Sequence, residues 1–392
     1  MQFVKTIGGS HNESAVSIAV TSDGGYAILG STQSIDGDVS TTKGTVQYDL
    51  WVLKYDAQDN LLWQKTYGGS KDDKGSKIIA TNDGGFVVTG SSKSDDQNLS
   101  INYGLEDVWV MKLDNTGAWE WSIPIGFAGI DSGYSVIQTA DGGYFVGGIL
   151  DVTASGGLGN SKSSKWKHAG GDYWGIKLSD TGSIEWRRYF GGGNTDTCYD
   201  VLETSDGYLL VGSSDSNDVD IKNPKGSYDV WIVKTDKQGT LLWEKSLGGS
   251  EIDEAYQIVA TKDDNYLIVG ESRSSDKDVI NQNGGADVWV VKIDTNGNII
   301  WQKNYGGTSF DVARGVTIAQ DGGFYIAGSS RSMNVDLSEN KGANDVWLIK
   351  IDEKGNLDWQ QSIGGSDVDF SYDVVELEDK SVILVGESLS SD

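Results

Sequence analysis

The chain has one cysteine, two prolines and two histidines in 392 residues. A single cysteine rules out an internal disulfide and any metal site built on cysteine pairs. Two histidines in different parts of the chain leave no histidine cluster for a metal and no serine–histidine pairing for acyl transfer. Two prolines exclude a proline-rich linker. No stretch approaches the ~20 apolar residues of a membrane-spanning helix, so no membrane insertion is expected. Residues 1–9 lack the basic and apolar regions of a secretion signal. Basic charge is also scarce: 31 Lys and Arg stand against 58 Asp and Glu, a net charge of −27. Such a field repels nucleic acid and anionic lipid, and favours divalent cations and solubility.

Tryptophan and glycine are abundant. Twelve of the fourteen tryptophans fall in two columns. One is Trp51, Trp109, Trp174, Trp231, Trp289 and Trp347. The other, twelve residues on in each case, is Trp63, Trp121, Trp186, Trp243, Trp301 and Trp359. Self-similarity at a period of about 58 residues signals one supersecondary unit, copied and stacked. Within a unit the apolar runs are short, rich in β-branched and aromatic residues, and bounded by Gly, Asp or Asn. In the fifth unit they are 255–259, 266–270, 287–294 and 298–303. Turns read Asp-Gly-Gly at Asp23, Asp83, Asp141 and Asp321, and Asp-x-x-Gly at Asp114, Asp236, Asp294 and Asp352. Each unit is therefore two hairpins with no helical period.

Four antiparallel strands repeated radially predict an all-β fold, a β-propeller. A column of small residues supports it: Ala15, Gly75, Gly133, Cys198, Ala255, Ala313 and Ser371, where inner strands converge on an axis. Cys198 is read as the small residue of its blade rather than a reactive thiol. The units run 9–67, 68–125, 126–190, 191–247, 248–305 and 306–363. Residues 364–392 match the first two strands of a further unit, and residues 1–8 match a last strand. The expectation is a single propeller of seven blades, the last incomplete and closed by the N-terminal strand. The chain stops inside a loop, which suggests a piece of a longer protein.

The run Asp287 to Lys303, Asp-Val-Trp-Val-Val-Lys-Ile-Asp-x-x-Gly-x-x-x-Trp-x-Lys, resembles quinoprotein-type propeller repeats, which place a tryptophan after a Gly turn to dock blades. The adjacent cysteine pair of quinoprotein alcohol dehydrogenases is absent, so no organic cofactor is carried over. The whole unit resembles more closely the Asp-Gly-Gly-Tyr, Asp-x-Trp, Trp-x-Lys-x-x-Gly-Gly repeats of large secreted and surface bacterial proteins. Many of those carry a sorting domain for type IX secretion. That resemblance implies an extracellular or cell-surface location and other domains of a parent protein as neighbours.

The loop after the second strand places side-chain oxygens at alternate positions. It reads Ser34, Asp36, Asp38; Ser94, Asp96, Asn98; Ser216, Asp218, Asp220; Ser274, Asp276, Asp278; and Ser332, Asn334, Asp336. That spacing can turn hard ligands to one point, as calcium loops do. The competing reading is self-capped Asx turns. The acids before the first tryptophan column (Asp49, Asp107, Asp172, Asp229, Asp287, Asp345) are read as structural. So are Glu13, Asp73, Asp131, Asp196, Asp253, Asp311 and Asp369, unless they ring the axis and hold a cation there. Trp119 shares its position with Leu61 and Ile184 and reads as core. The third unit's loop is longer and carries Lys165, Trp166, Lys167 and His168, a basic aromatic spot suited to a carbohydrate or protein ligand. The functional expectation is a binding, adhesion or scaffold module, calcium-stabilised, with the loop face at 151–171 as its surface. Two alternatives stand beside it: a polysaccharide-active enzyme with carboxylates at the channel mouth, and an inert spacer in a surface fibre. No catalytic residue is nominated.

Overall fold

The computed structural model describes residues 4–40, 47–160 and 168–391. Six four-stranded antiparallel sheets follow one another, each with its strands paired in chain order. In blade 5 these are Asp253–Ala260, Tyr266–Ser272, Asp287–Ile293 and Ile299–Tyr305. The apolar core lies between blades rather than within them. Trp289 and Val291 of blade 5, for example, share a cluster with Leu209 and Val230 of blade 4.

The second tryptophan column locks the blades together. The turn glycine of each following blade sits on the preceding indole: a Cβ on Gly117 would lie 2.8 Å from the Trp63 ring, and one on Gly297 would lie 2.9 Å from Trp243. These glycines also have φ near +70° to +76°, so both space and backbone require glycine. Trp63 Nε1 donates to Asn115 O at 3.1 Å, tying the indole to the same turn.

The blade count corrects the sequence expectation. Among the described residues there are six four-stranded blades, not seven. The segment expected to begin a seventh is a two-stranded hairpin, Asp369–Glu376 with Val382–Ser388. Residues 4–12 carry no strand, so among the described residues no N-terminal strand completes it. The hairpin closes the ring by packing. Val374 joins Tyr325 and Leu348 of blade 6, while Leu377 and Val385 join Trp51 and Leu53 of blade 1. The missing outer strands show at Trp359, which has no following turn to cover it and is 43% exposed.

Two smaller expectations also change. Trp119 is half exposed on the outer edge, not core. The third blade's long loop contains one helical turn, Val152–Ser155, capped by Asp151 Oδ1 accepting from Ala154 N at 2.8 Å.

Candidate functional site

Two ends of the propeller differ. One end is built of tight Asp-Gly turns. Their Asp side chains reach buried lysines of the third strand, as in Lys112–Asp83 at 2.9 Å and Lys177–Asp141 at 3.1 Å. The other end carries the Gly-Gly segments and the long loops.

On this loop end the predicted oxygens are placed as follows. Asp276 Oδ1 accepts Ser250 N at 2.8 Å, Asp278 Oδ2 accepts Gly248 N at 3.3 Å, and Ser274 Oγ accepts Glu251 N at 3.0 Å. The pattern recurs at Ser34, Asp36 and Asp38 on the amides of His11, Ser10 and Gly8. Asp96 and Asn98 hold Ser70 and Gly68, and Asp218 and Asp220 hold Gly193 and Gly191. Asn334 and Asp336 hold Thr308 and Gly306. The loop clasps the Gly-Gly segment of its own repeat by satisfying its backbone donors. Among the described residues no three His, Cys, Asp or Glu side chains gather as a ready metal cage.

The acids of the first strand do not ring the axis. Asp253 is buried, accepting from Gly249 N at 2.6 Å and Ser274 Oγ at 2.7 Å. His168 also points inward, with Nδ1 2.6 Å from Asp172 Oδ2 and a mostly buried side chain. Burial opposes its protonation, but the Asp172 hydrogen bond and the nearby acids raise its pKa overall. Lys165, Trp166 and Lys167 lie outside the described residues. The described start of that loop folds onto its own blade, where Gly159 O accepts from Trp174 Nε1 at 2.9 Å.

At the axis the structure shows what the sequence pattern did not suggest. Every inner strand breaks register just after its small residue. Such a bulge takes one residue out of the ladder and re-aims its side chain. The bulged residues are Val16, Ser76, Tyr134, Tyr199, Tyr256, Arg314 and Tyr372. Tyr134 and Tyr199 lie 5.5 Å apart, Tyr199 and Tyr256 5.1 Å apart, and the Arg314 guanidinium sits 3.7 Å over Tyr256. They form an arc around the channel mouth. Glu254 accepts from Tyr256 Oη at 2.8 Å, and Glu387 accepts from Tyr372 Oη at 2.8 Å. Burial, with Glu254 next, pushes the Tyr199 hydroxyl up to about 12, so it stays a donor.

One residue further along, on six of the seven inner strands, polar side chains reach across to their neighbours. Lys77 Nζ meets Asp373 Oδ2 at 3.0 Å. Asp373 also accepts from Ser17 Oγ at 3.0 Å and Ile18 N at 3.2 Å. Asp200 accepts from Ser135 Oγ at 2.6 Å and Ile258 N at 2.9 Å, and Gln257 accepts from Val316 N at 2.5 Å. Inner strands are sheet edges, whose axial N–H groups have no ladder partner. The neighbouring strand's side chain supplies one.

No protein-family model matches the chain. Among curated proteins it is similar to a protein of Caulobacter vibrioides described as "Regulatory protein FlaEY", 21% identical over 93% of this chain and 41% of that one. It is also similar to an uncharacterized WD repeat-containing protein of Acanthamoeba polyphaga mimivirus, 20% identical over 86% of this chain and 31% of that protein. The chain thus spans less than half the length of these relatives. Among solved structures it is similar to the Neurospora crassa Pan2 WD40 domain, with 11% identity, TM-score 0.49, and 95% and 89% of the two chains covered. A putative 6-phosphogluconolactonase from Bacteroides uniformis gives 12% identity, TM-score 0.46, and coverage of 89% and 85%. The fold is a β-propeller of four-stranded blades.

Exposed apolar side chains complete the site. Ile101, Tyr103, Leu105, Ile130, Ile280, Phe310, Met333 and Val335 are all exposed, and all lie on the loop end. Leu105 and Ile130 are brought together because Glu106 bridges to Ile130 and Leu105 N donates to Gly129 O at 2.8 Å. The opposite end is not bare: Leu61, Leu62, Trp119, Ile184, Leu242, Ile300 and Leu357 are exposed on the outer strands just after its second turns.

Proposed function

We propose that the chain is an interaction module of a larger protein, binding a protein partner on its loop end around the axial mouth. The observation that carries this is the axial mouth on the loop end: an arc of tyrosines closed by Arg314, with exposed Ile101, Tyr103, Leu105 and Ile130 on the loops of the same end. Tyr and Arg are the residues that dominate protein interfaces, and apolar patches rimmed by polar groups mark them. The bridged channel favours binding across the mouth over chemistry inside a deep pocket. Coverage of under half of each curated relative supports a module among other domains, and one relative's description as regulatory is compatible with such a role. The setting we infer is the outside of a bacterial cell, on the repeat resemblance and the net charge of −27. No helix among the described residues is long and apolar enough to cross a membrane.

Site-specific photo-crosslinking within the parent protein tests the proposal. A benzophenone amino acid in place of Tyr199 or Tyr103 is expected to trap a protein partner. The same group in place of Thr116, in an opposite-end turn, is expected to trap none. Equal trapping from both ends would overturn the reading.

A further inference from the structure

We infer that the gap outside the closing hairpin is a docking groove for one extended β-strand of a partner polypeptide. It lies on the rim between blades 6 and 1, so it stands apart from the axial mouth and does not rest on it. The outer strand of the hairpin, Val382–Ser388, pairs on one side only, with Asp369–Glu376. In a four-stranded blade the corresponding strand is paired on both sides, as Tyr266–Ser272 is by Asp253–Ala260 and Asp287–Ile293. The free edge is a row of backbone donors and acceptors, which a further strand can pair.

The far wall of the groove is in place. Ile7 packs with Val39, Trp51 and Leu53 of blade 1. Tyr305, which ends the outer strand of blade 5, packs in the same way with Leu337, Trp347 and Ile349 of blade 6. Gly8 N donates to Asp38 as Gly306 N donates to Asp336. Residues 7–8 therefore stand where an outer strand ends, with no third strand between them and the hairpin among the described residues. Neighbouring strands lie about 4.8 Å apart, so the gap is about 10 Å, the width for one strand. Side chains that a third strand covers elsewhere are under-covered here. Thr6 is exposed where Thr66 and Ser246 are buried, and Val346 and Ile383 are half-buried where Val288 and Leu267 are fully buried. Continuity with the blade interfaces defines the occupant. Third strands such as Asp107–Leu113 and Asp287–Ile293 are buried along their whole length. The partner segment is therefore extended, apolar on both faces and free of proline, with a tryptophan to fill the seam as Trp289 does in blade 5. A glycine turn after it would cover Trp359, as Gly355 covers Trp301.

The probe is a fluorescein-labelled peptide of residues 287–298, a third strand with its turn. It is expected to bind the 392-residue chain saturably in fluorescence polarisation and to raise its melting temperature. Val290→Pro in the peptide should abolish binding, because proline removes a ladder donor. Trp289→Ala in the peptide should weaken it about tenfold or more, as loss of a buried aromatic anchor does. In the protein, Val346→Glu puts a charge on the groove wall and should weaken binding as much, with cooperative melting showing that the variant is folded. Leu242→Glu, on an exposed outer strand of another blade, should leave binding unchanged. The inference is overturned if the peptide does not bind, if its Val290→Pro form binds equally, or if folded Val346→Glu binds it fully. A chain that dimerises without taking up the peptide, and becomes monomeric on Val346→Glu, would seat a second copy there and overturn the partner.

Discussion

Replacing Asp373 with alanine should lower unfolding free energy by about 3–5 kcal/mol, the range for breaking a buried ion pair from one side. Three donors lose their acceptor at once: the Lys77 ammonium, the Ser17 hydroxyl and the Ile18 amide. Burial pulls the Lys77 pKa down, but the Asp373 and Asp200 carboxylates raise it overall, so Lys77 stays charged. Without Asp373 that charge is left facing Asp200 alone, and the Ile18 amide faces an unpaired buried edge.

The location amplifies the effect. Asp373 stands on the hairpin, at the junction where the last inner strand meets the first, and it ties residues about 300 and 350 positions apart. Chemical denaturation should show a lower midpoint with an unchanged slope. Asp373→Asn keeps an acceptor for Ile18 and should fall between. Adding Lys77→Met to Asp373→Ala should recover part of the loss, because the uncompensated charge is removed; the double-mutant cycle measures that coupling. A loss under about 1 kcal/mol for Asp373→Ala would mean the axial bridge contributes no more than a surface pair.

The repeat was legible because its markers are positions every blade needs. A buried tryptophan, a turn glycine beneath an indole and a small inner residue recur since each blade meets its neighbour in the same way. The closure was not legible. Residues 1–8 match a last strand in sequence, yet residues 4–12 form none, because pairing remote ends depends on a partner strand and the hairpin offers only its own two. The axial mouth was missed for the opposite reason. Its residues read Val, Ser, Tyr, Tyr, Tyr, Arg, Tyr at one register, and recurrence does not mark a position that varies. The signal was present one residue after the small column, where a half-buried aromatic beside Ala, Gly or Cys is out of place in a packed strand. His168 stood out for its basic neighbours, whereas its spacing of four from Asp172 is what fixes its role.

The buried acids that open the first and third strands also set a pH dependence, and its sign is opposite to ordinary acid denaturation. Burial raises Asp131, Asp196 and Asp229 to about 6 and Asp287 to about 7, from an ordinary 3.8. Neighbouring acids add to the rise: Asp107 at Asp131 and Asp311 at Asp287. A folded-state pKa above the unfolded one gives stability that is complete below about 4 and lost as pH rises through about 6 to 7. His168 is raised as well, so its contribution falls in the same direction. The turn acids work the other way. Asp23 is held at about 2, chiefly by the Thr21 hydroxyl, then by the Gly25 amide and Lys54, so its contribution is lost only as pH falls through about 2. In EDTA the melting temperature should therefore peak near pH 4 to 5 and decline to a lower plateau above pH 7.5. A tenfold change in a carboxyl group's proton affinity on folding corresponds to ~1.4 kcal/mol, so four such acids outweigh any one exposed ion pair. Asp287→Asn removes the highest of the four and should flatten the upper part of the decline. Equal melting temperatures at pH 5 and pH 8 would mean the fold holds these four acids ionised at no cost, which requires a counter-charge at each one.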